Sequence, residues 1–197
     1  MDTFLIDAFP EAVEIDGIEY ALNTDFRIGI QIMMDFESDD WTDEEKAWLM
    51  LNRLYQTPDE INDIQEAVRL GVKFLNGGKE ESPPHNTEYQ PRLYSFSRDA
   101  RLIYAAFHQT HGIDLQEVDM HWWKFIALFM DLGAETSFNS LVYARQSVID
   151  GKALDEQKKA VEAHGGLFEQ GRTQYADMDE EELAFLSALP NGEGFRF

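Results

Sequence analysis

Apolar residues recur at helical spacing through most of the chain, and the densest stretch is 119–132, DMHWWKFIALFMDL, where ten of fourteen positions are apolar. Trp122, Phe125, Ile126, Phe129 and Met130 fall at i, i+3, i+4, i+7 and i+8 and make one wide helical face, while Trp123, Ala127 and Leu128 extend apolar surface around the sides. Past the opening Asp119, the polar positions His121, Lys124 and Asp131 lie roughly in line as a strip facing water. The pattern predicts a core helix with Trp122, Trp123, Phe125, Ile126 and Phe129 buried. At about 21 Å it is too short to cross a bilayer of about 30 Å.

Ahead of it, Val13, Ile15, Ile18, Tyr20 and Leu22 alternate with polar residues around Asp16-Gly17, the pairing that suits a type I′ turn, so 12–22 reads as a β-hairpin. Oxygens of Asn23, Thr24 and Asp25 are placed to cap a helix ending near Ser38, with Phe26, Ile30, Met33, Met34 and Glu37 on one face. Thr42 and Glu45 have capping-box spacing ahead of Ala47, Trp48, Leu51, Leu54 and Tyr55. Thr57 and Pro58 repeat the start signal for a third helix striped by Ile61, Ile64, Val68, Val72 and Leu75 and closed by Gly77-Gly78. Ser97 is the expected cap of a helix with Ala100, Ile103, Tyr104 and Phe107 inward, ending at Gly112. The core helix ends at Gly133, and Thr136 starts another with Phe138, Leu141 and Val142 inward and Arg145 at i+7, where the cation needs a carboxylate partner. The fold class is mainly α: a helical bundle of about six to eight helices with a small N-terminal β-hairpin.

The organisation follows from where the stripes stop. A core domain is expected over 1–150, interrupted by a mobile loop at 79–92 that holds three prolines and little to bury. An acidic extension over 151–197 carries one or two short helices, a polar one over 155–164 and an amphipathic one over 179–188. The apolar residues of this tail, Leu183, Phe185, Leu186, Leu189, Phe195 and Phe197, need a surface to meet, and they are the expected partner-binding set. Two readings stay open: the tail folds back on its own domain, or it docks on a partner or a second copy.

Charge narrows the function. The 197 residues hold 38 acids against 16 bases, a net charge of −22, and no basic stripe exists to neutralise phosphates, so direct nucleic-acid binding is disfavoured. The absence of cysteine removes disulfides, thiolate metal sites and a thiol nucleophile. No apolar run approaches transmembrane length, and the acidic N-terminus lacks the pattern of a signal peptide, so a cytoplasmic protein without a membrane span is expected. His108, His111 and His121 with Asp114 are the one set resembling a metal site. Their spacing suits zinc poorly, and cationic rings at a helix C-terminus account for the first two. No phosphate loop, nucleophile elbow or HExxH occurs, so neither an enzyme nor a cofactor is expected.

Taken together, VEIDGIEYALNTDFR, YSFSRDARLIYAAFHQTHGIDL, HWWKFIALFMDL and SLVYAR resemble a bacteriophage family named for gene product fifteen, in the family's order and over roughly 10–150. The resemblance implies a tail assembly chaperone of long-tailed phages, non-enzymatic, whose partners are the tape measure protein and other tail proteins, with self-association possible. It would act in the host cell cytoplasm and stay out of the mature virion. The segment after Gly151 departs from the family pattern. The competing reading from charge alone is an acidic nucleic-acid mimic that inhibits a host DNA-binding protein; it requires acids in a duplex-like row, whereas these cluster at helix starts.

Overall fold

The computed structural model describes residues 4–79 and 92–168, and among them the chain forms seven α-helices and one two-stranded antiparallel hairpin. They fall into two compact units. The first holds 4–79 and Asp119–Ile126, the second 92–118 and 127–168.

In the first unit, β1 (Ala12–Ile15) pairs with β2 (Ile18–Ala21) in the register Val13 to Tyr20 and Ile15 to Ile18. Asp16 and Gly17 both take positive φ, 51° and 78°, as a type I′ turn requires. Ile15 and Tyr20 are buried, and the Tyr20 hydroxyl donates to the Glu60 carbonyl at 3.1 Å.

Helix α1 (Phe26–Glu37) starts where the Asp25 carboxylate accepts the Arg27 N–H at 2.8 Å. Its buried face is Phe26, Gly29, Ile32, Met33 and Phe36, not the face containing Ile30 and Met34; Phe36 and Ile32 bury more apolar surface than Glu37 could, and the helix turns accordingly. Helix α2 (Asp43–Leu54) begins with the expected capping box, Glu45 N–H to Thr42 Oγ1 at 3.3 Å and Thr42 N–H to Glu45 Oε2 at 2.8 Å. Ala47, Met50, Leu51 and Leu54 face inward, and Trp48, expected inward, is 55% exposed because Met50 takes the buried position beside it.

Thr57 and Pro58 do not start the third helix. They open a 3₁₀ turn, Pro58–Glu60, and α3 (Ile64–Leu75) is capped by Asp63, which accepts the Glu66 N–H at 2.9 Å. Helices α1 and α2 pack together, as do α2 and α3, and α3 also meets β1. The buried Tyr55 hydroxyl donates to the Ala67 carbonyl at 2.8 Å, and burial pushes its pKa well above the usual phenol range.

The second unit opens at Arg92 and carries α4 (Ala100–His111), which stops at Gly112 in the left-handed conformation, φ 67°. Ser97 is not its cap. Asp99 holds the N-cap position, and its carboxylate accepts the Ser95 N–H at 3.0 Å instead of capping the helix.

The expected core helix is shorter than its apolar run. It is α5 (Trp122–Met130), because 119–121 stay extended and His121 forms a β-bridge with Asp25 in the first unit. Its first five residues belong to the first unit and its last four to the second. Met130, expected on the buried face, is 51% exposed, while Phe129 is buried against Tyr94, Phe96 and Phe138 at ring-centroid distances of 5.2, 5.4 and 5.5 Å.

Helix α6 (Ser137–Ile149) begins as expected at Thr136, whose hydroxyl oxygen accepts the Asn139 N–H at 3.2 Å and donates to the Gly133 carbonyl at 2.8 Å. Residues 151–168, assigned by the sequence to the C-terminal extension, contain α7 (Asp155–Ala163), which packs on α6 and is closed by Gly165 and Gly166 at positive φ. Among the described residues no helix is long and apolar enough to cross a membrane. The loop expected over 79–92, apart from its two end residues, and the tail residues Leu183, Phe185, Leu186, Leu189, Phe195 and Phe197 lie outside the described residues.

Candidate partner-binding groove

In the second unit α7 packs on α6, and a cleft remains beside their contact. Leu141 and Ala144 of α6 are buried with Val161 of α7, and Leu102 of α4 and Val148 pack against them. Because α7 is a polar helix whose one buried residue is Val161, it cannot cover the whole face that α6 presents. The uncovered part is a groove of about 830 Å³, floored by Leu102, Leu141 and Ala144 and walled by Leu93, Ala134, Val142, Tyr143, Gln157 and Ala160. That volume lies within the range of clefts that take a ligand or a peptide anchor. Tyr143 stands at the rim with 68% of its surface in water, an amphipathic ring placed to cover an incoming apolar group.

The groove's polar edge comprises Ser137, Asn139, Ser140, Gln146, Glu156 and His164. His164 Nδ1 meets the Ala160 carbonyl at 2.9 Å, which turns the ring along its own helix. Asn139 directs its amide to the carbonyls of Leu132 and Gly133 at 2.7 and 3.1 Å. What remains is apolar contact bounded by hydrogen-bonding side chains and one carboxylate, that of Glu156, suited to an amphipathic segment.

The groove is held by a buried ion pair. Arg145, on the same helix as the floor, is 0% exposed; it donates to the two Asp99 oxygens at 2.6 and 2.9 Å and to the Leu93 carbonyl at 2.9 Å. This fulfils the expectation of a carboxylate partner, and it ties the start of α4 and the Leu93 wall to α6. Phe168 is buried with the guanidinium groups of Arg92, Arg98 and Arg145 over its ring at 4.4, 4.3 and 4.7 Å. Arg98 also donates to the carbonyls of His164, Gly165 and Gly166, which closes the C-terminal end of α7.

In the first unit the tryptophan pair divides. Trp122 is buried, its indole N–H donating to the Leu75 carbonyl at 2.8 Å, and its ring lies so close to Gly29 that a Cβ there would overlap it. Phe125 stacks on it at 5.5 Å, and Ile126 is buried as well. Trp123 is only half-buried: its indole N–H reaches the Phe74 carbonyl at 2.7 Å, and Phe4 and Phe9 lie at 6.3 and 6.1 Å.

The structure does not assemble His108, His111, His121 and Asp114; among the described residues no cluster of three such side chains forms. His111 meets the Leu128 carbonyl at 2.9 Å. His121 Nδ1 accepts the Trp123 N–H at 3.0 Å, so the ring proton sits on Nε2, which faces the Pro10 carbonyl at 3.0 Å. Burial holds its pKa below the usual imidazole range, against smaller opposing pulls from Pro10 and Glu11.

The groove was not among the sites expected from sequence. Its walls come from four separated segments, and Val142 and Tyr143 look like ordinary helix positions. The one available signal was α7 itself, a helix with too few apolar residues to cover its neighbour.

Comparison with known families gives one match: the family described as Bacteriophage Gp15 protein fits residues 5–166. That span includes both units and reaches the end of α7. No curated protein and no solved structure matches the chain.

Proposed function

The chain belongs to the bacteriophage Gp15 protein family, and from that premise we propose that this phage protein is a tail assembly chaperone. Its task is to hold apolar segments of the tape measure protein, and of other tail components, in the groove between α4, α6 and α7 while the tail is built. It acts in the host cytoplasm, performs no catalysis, and leaves before the virion matures. The observation that carries the reading is an open apolar groove, rimmed by an exposed tyrosine, in a chain of net charge −22. An acidic surface keeps a complex with an aggregation-prone chain in solution, and the groove takes an amphipathic helix by its apolar face.

The test is co-expression with the tape measure protein encoded by the same phage. Ala160→Asp puts a charge on the groove wall at an exposed position, so the fold is retained while apolar docking is opposed. The soluble tape measure fraction should fall at least about fivefold with this variant, near 1 kcal/mol of lost binding. Equal recovery with wild type, variant and empty vector overturns the chaperone reading; binding to a host DNA-binding protein instead would favour the mimic.

A further inference from the structure

Hydrogen bonds within the second unit take up the amides around the groove. Asn139 spends its amide on two carbonyls, Gln146 Nε2 donates to Asp150 Oδ1 at 2.8 Å, and Gln157 Oε1 accepts the Leu154 N–H at 2.8 Å. Glu156 is different: its side chain is exposed at the groove's edge and has neither a hydrogen-bond donor nor an ion pair among the described residues. No lysine or arginine of the described residues lines the groove. On α7, Glu156, Ala160 and His164 recur at i, i+4 and i+8 along the groove side, while Lys158 and Lys159 lie outside it, the former 3.5 Å from Asp155. We propose that the groove takes amphipathic helices of a partner chain that carry a lysine or arginine at the edge of the apolar face, and that Glu156 selects them.

This rests on the groove being the seat of a partner segment and adds which segments it accepts. The apolar floor binds the hydrophobic face of any such helix and does not discriminate among them. A cation at the edge of that face gains the Glu156 carboxylate, whereas an anion there meets repulsion that no neighbouring base offsets. The exposed ring of Tyr143 at the rim favours the same sign, because the face of a phenol attracts cations. The net charge of −22 draws a basic segment from a distance and repels a second copy of this chain, so the occupant is a different chain.

Two fluorescence-labelled synthetic helices of about eighteen residues, long enough to hold a helix, serve as probes. Both carry leucine and alanine on one face and glutamine on the other; one has lysine at the edges of the apolar face, the other glutamate. Binding to the full-length protein is followed by anisotropy at about 0.15 M salt, where distant charges are screened. The wild type should prefer the lysine helix, and Glu156→Lys should reduce that preference at least about fivefold, with Glu156→Gln between the two. Glu162→Lys makes the same change of net charge at an exposed position of α7 outside the groove, and it should alter the preference less than about twofold. Equal reductions by the two charge reversals, or a preference that ignores Glu156→Lys, overturn the proposal. Ala160→Asp tells this failure from that of the groove. If it weakens both helices while Glu156 has no influence, the groove docks segments without selecting their charge; if neither helix binds, or binding ignores Ala160→Asp, the groove is not a docking site and the selection falls with it.

Discussion

The two units satisfy the polar demands of their interiors in opposite ways. In the first, the large buried aromatic side chains that carry a polar atom, Trp122, Tyr55 and Tyr20, give their protons to main-chain carbonyls, those of Leu75, Ala67 and Glu60. No side-chain charge is buried among its described residues. The second is built around Arg145 and Asp99, both buried, as a full ion pair. Outside, the order reverses, since the described residues of the first unit carry eighteen acids against seven bases and those of the second nine against seven. A neutral interior under a charged surface provides stability and solubility, whereas a charged interior under a balanced surface holds a groove in shape where apolar material can approach.

The comparison can be pressed hardest at Trp122. Trp122→Ala should cost about 3–5 kcal/mol in urea unfolding, because the cavity beside Gly29 is filled by nothing else and the Leu75 carbonyl loses its donor. A loss below about 1 kcal/mol would mean that this face is not core. In the second unit, Arg145→Met should cost about 3–4 kcal/mol, since it leaves the Asp99 carboxylate buried without its cation. Here a rescue exists that the first unit lacks. Adding Asp99→Asn keeps an acceptor for the Ser95 N–H and removes the stranded charge, and the double-mutant cycle should show about 1–3 kcal/mol of coupling. Additive losses would refute the ion pair as the organiser of this unit.

The smallest effect separates the units by pH. His121 has a folded-state pKa below its unfolded value, so its neutral form contributes stability fully above about pH 6.5, and that contribution is lost as pH falls through the folded pKa. Protonation would also force a proton onto Nδ1, opposite the Trp123 N–H. Thermal melts of the wild type should therefore decline between pH 7.5 and 5.5 more steeply than those of His121→Phe, which has no ring proton to gain. Parallel slopes would remove His121 from the account.

Much of this was legible where a local signal had one meaning. Asp16-Gly17 specified its turn, Thr42 and Glu45 their capping box, Thr136 its helix start and Gly112 a helix stop. Legibility failed where two signals competed within a turn of each other. Thr57-Pro58 looks like a helix start as strongly as Asp63 does, and the 3₁₀ turn between them used the first while the helix used the second. In WLMLN, either Trp48 or Met50 can complete an inward stripe, and packing against Gly71 selects Met50. Asp119 to His121 open the apolar run that becomes α5, yet their backbone pairs with the segment around Asp25, a contact no local pattern encodes. The groove was hidden for the same reason, since it depends on how much of α6 a polar helix leaves bare.

That long-range pairing also sets an order of events at the ribosome. The Phe26 N–H donates to the Met120 carbonyl at 2.9 Å and the Trp122 N–H to the Thr24 carbonyl at 2.7 Å, so the first unit is closed by a strap made almost a hundred residues after α1 begins. Until Trp122 emerges, Gly29 and the end of α3 line an empty slot. At about 5–20 residues per second, the 47 residues from 79 to 126 take roughly 2–9 s to add. During that interval the nascent hairpin and first three helices lack their central side chain, and a translational pause placed anywhere in the stretch would prolong their exposure.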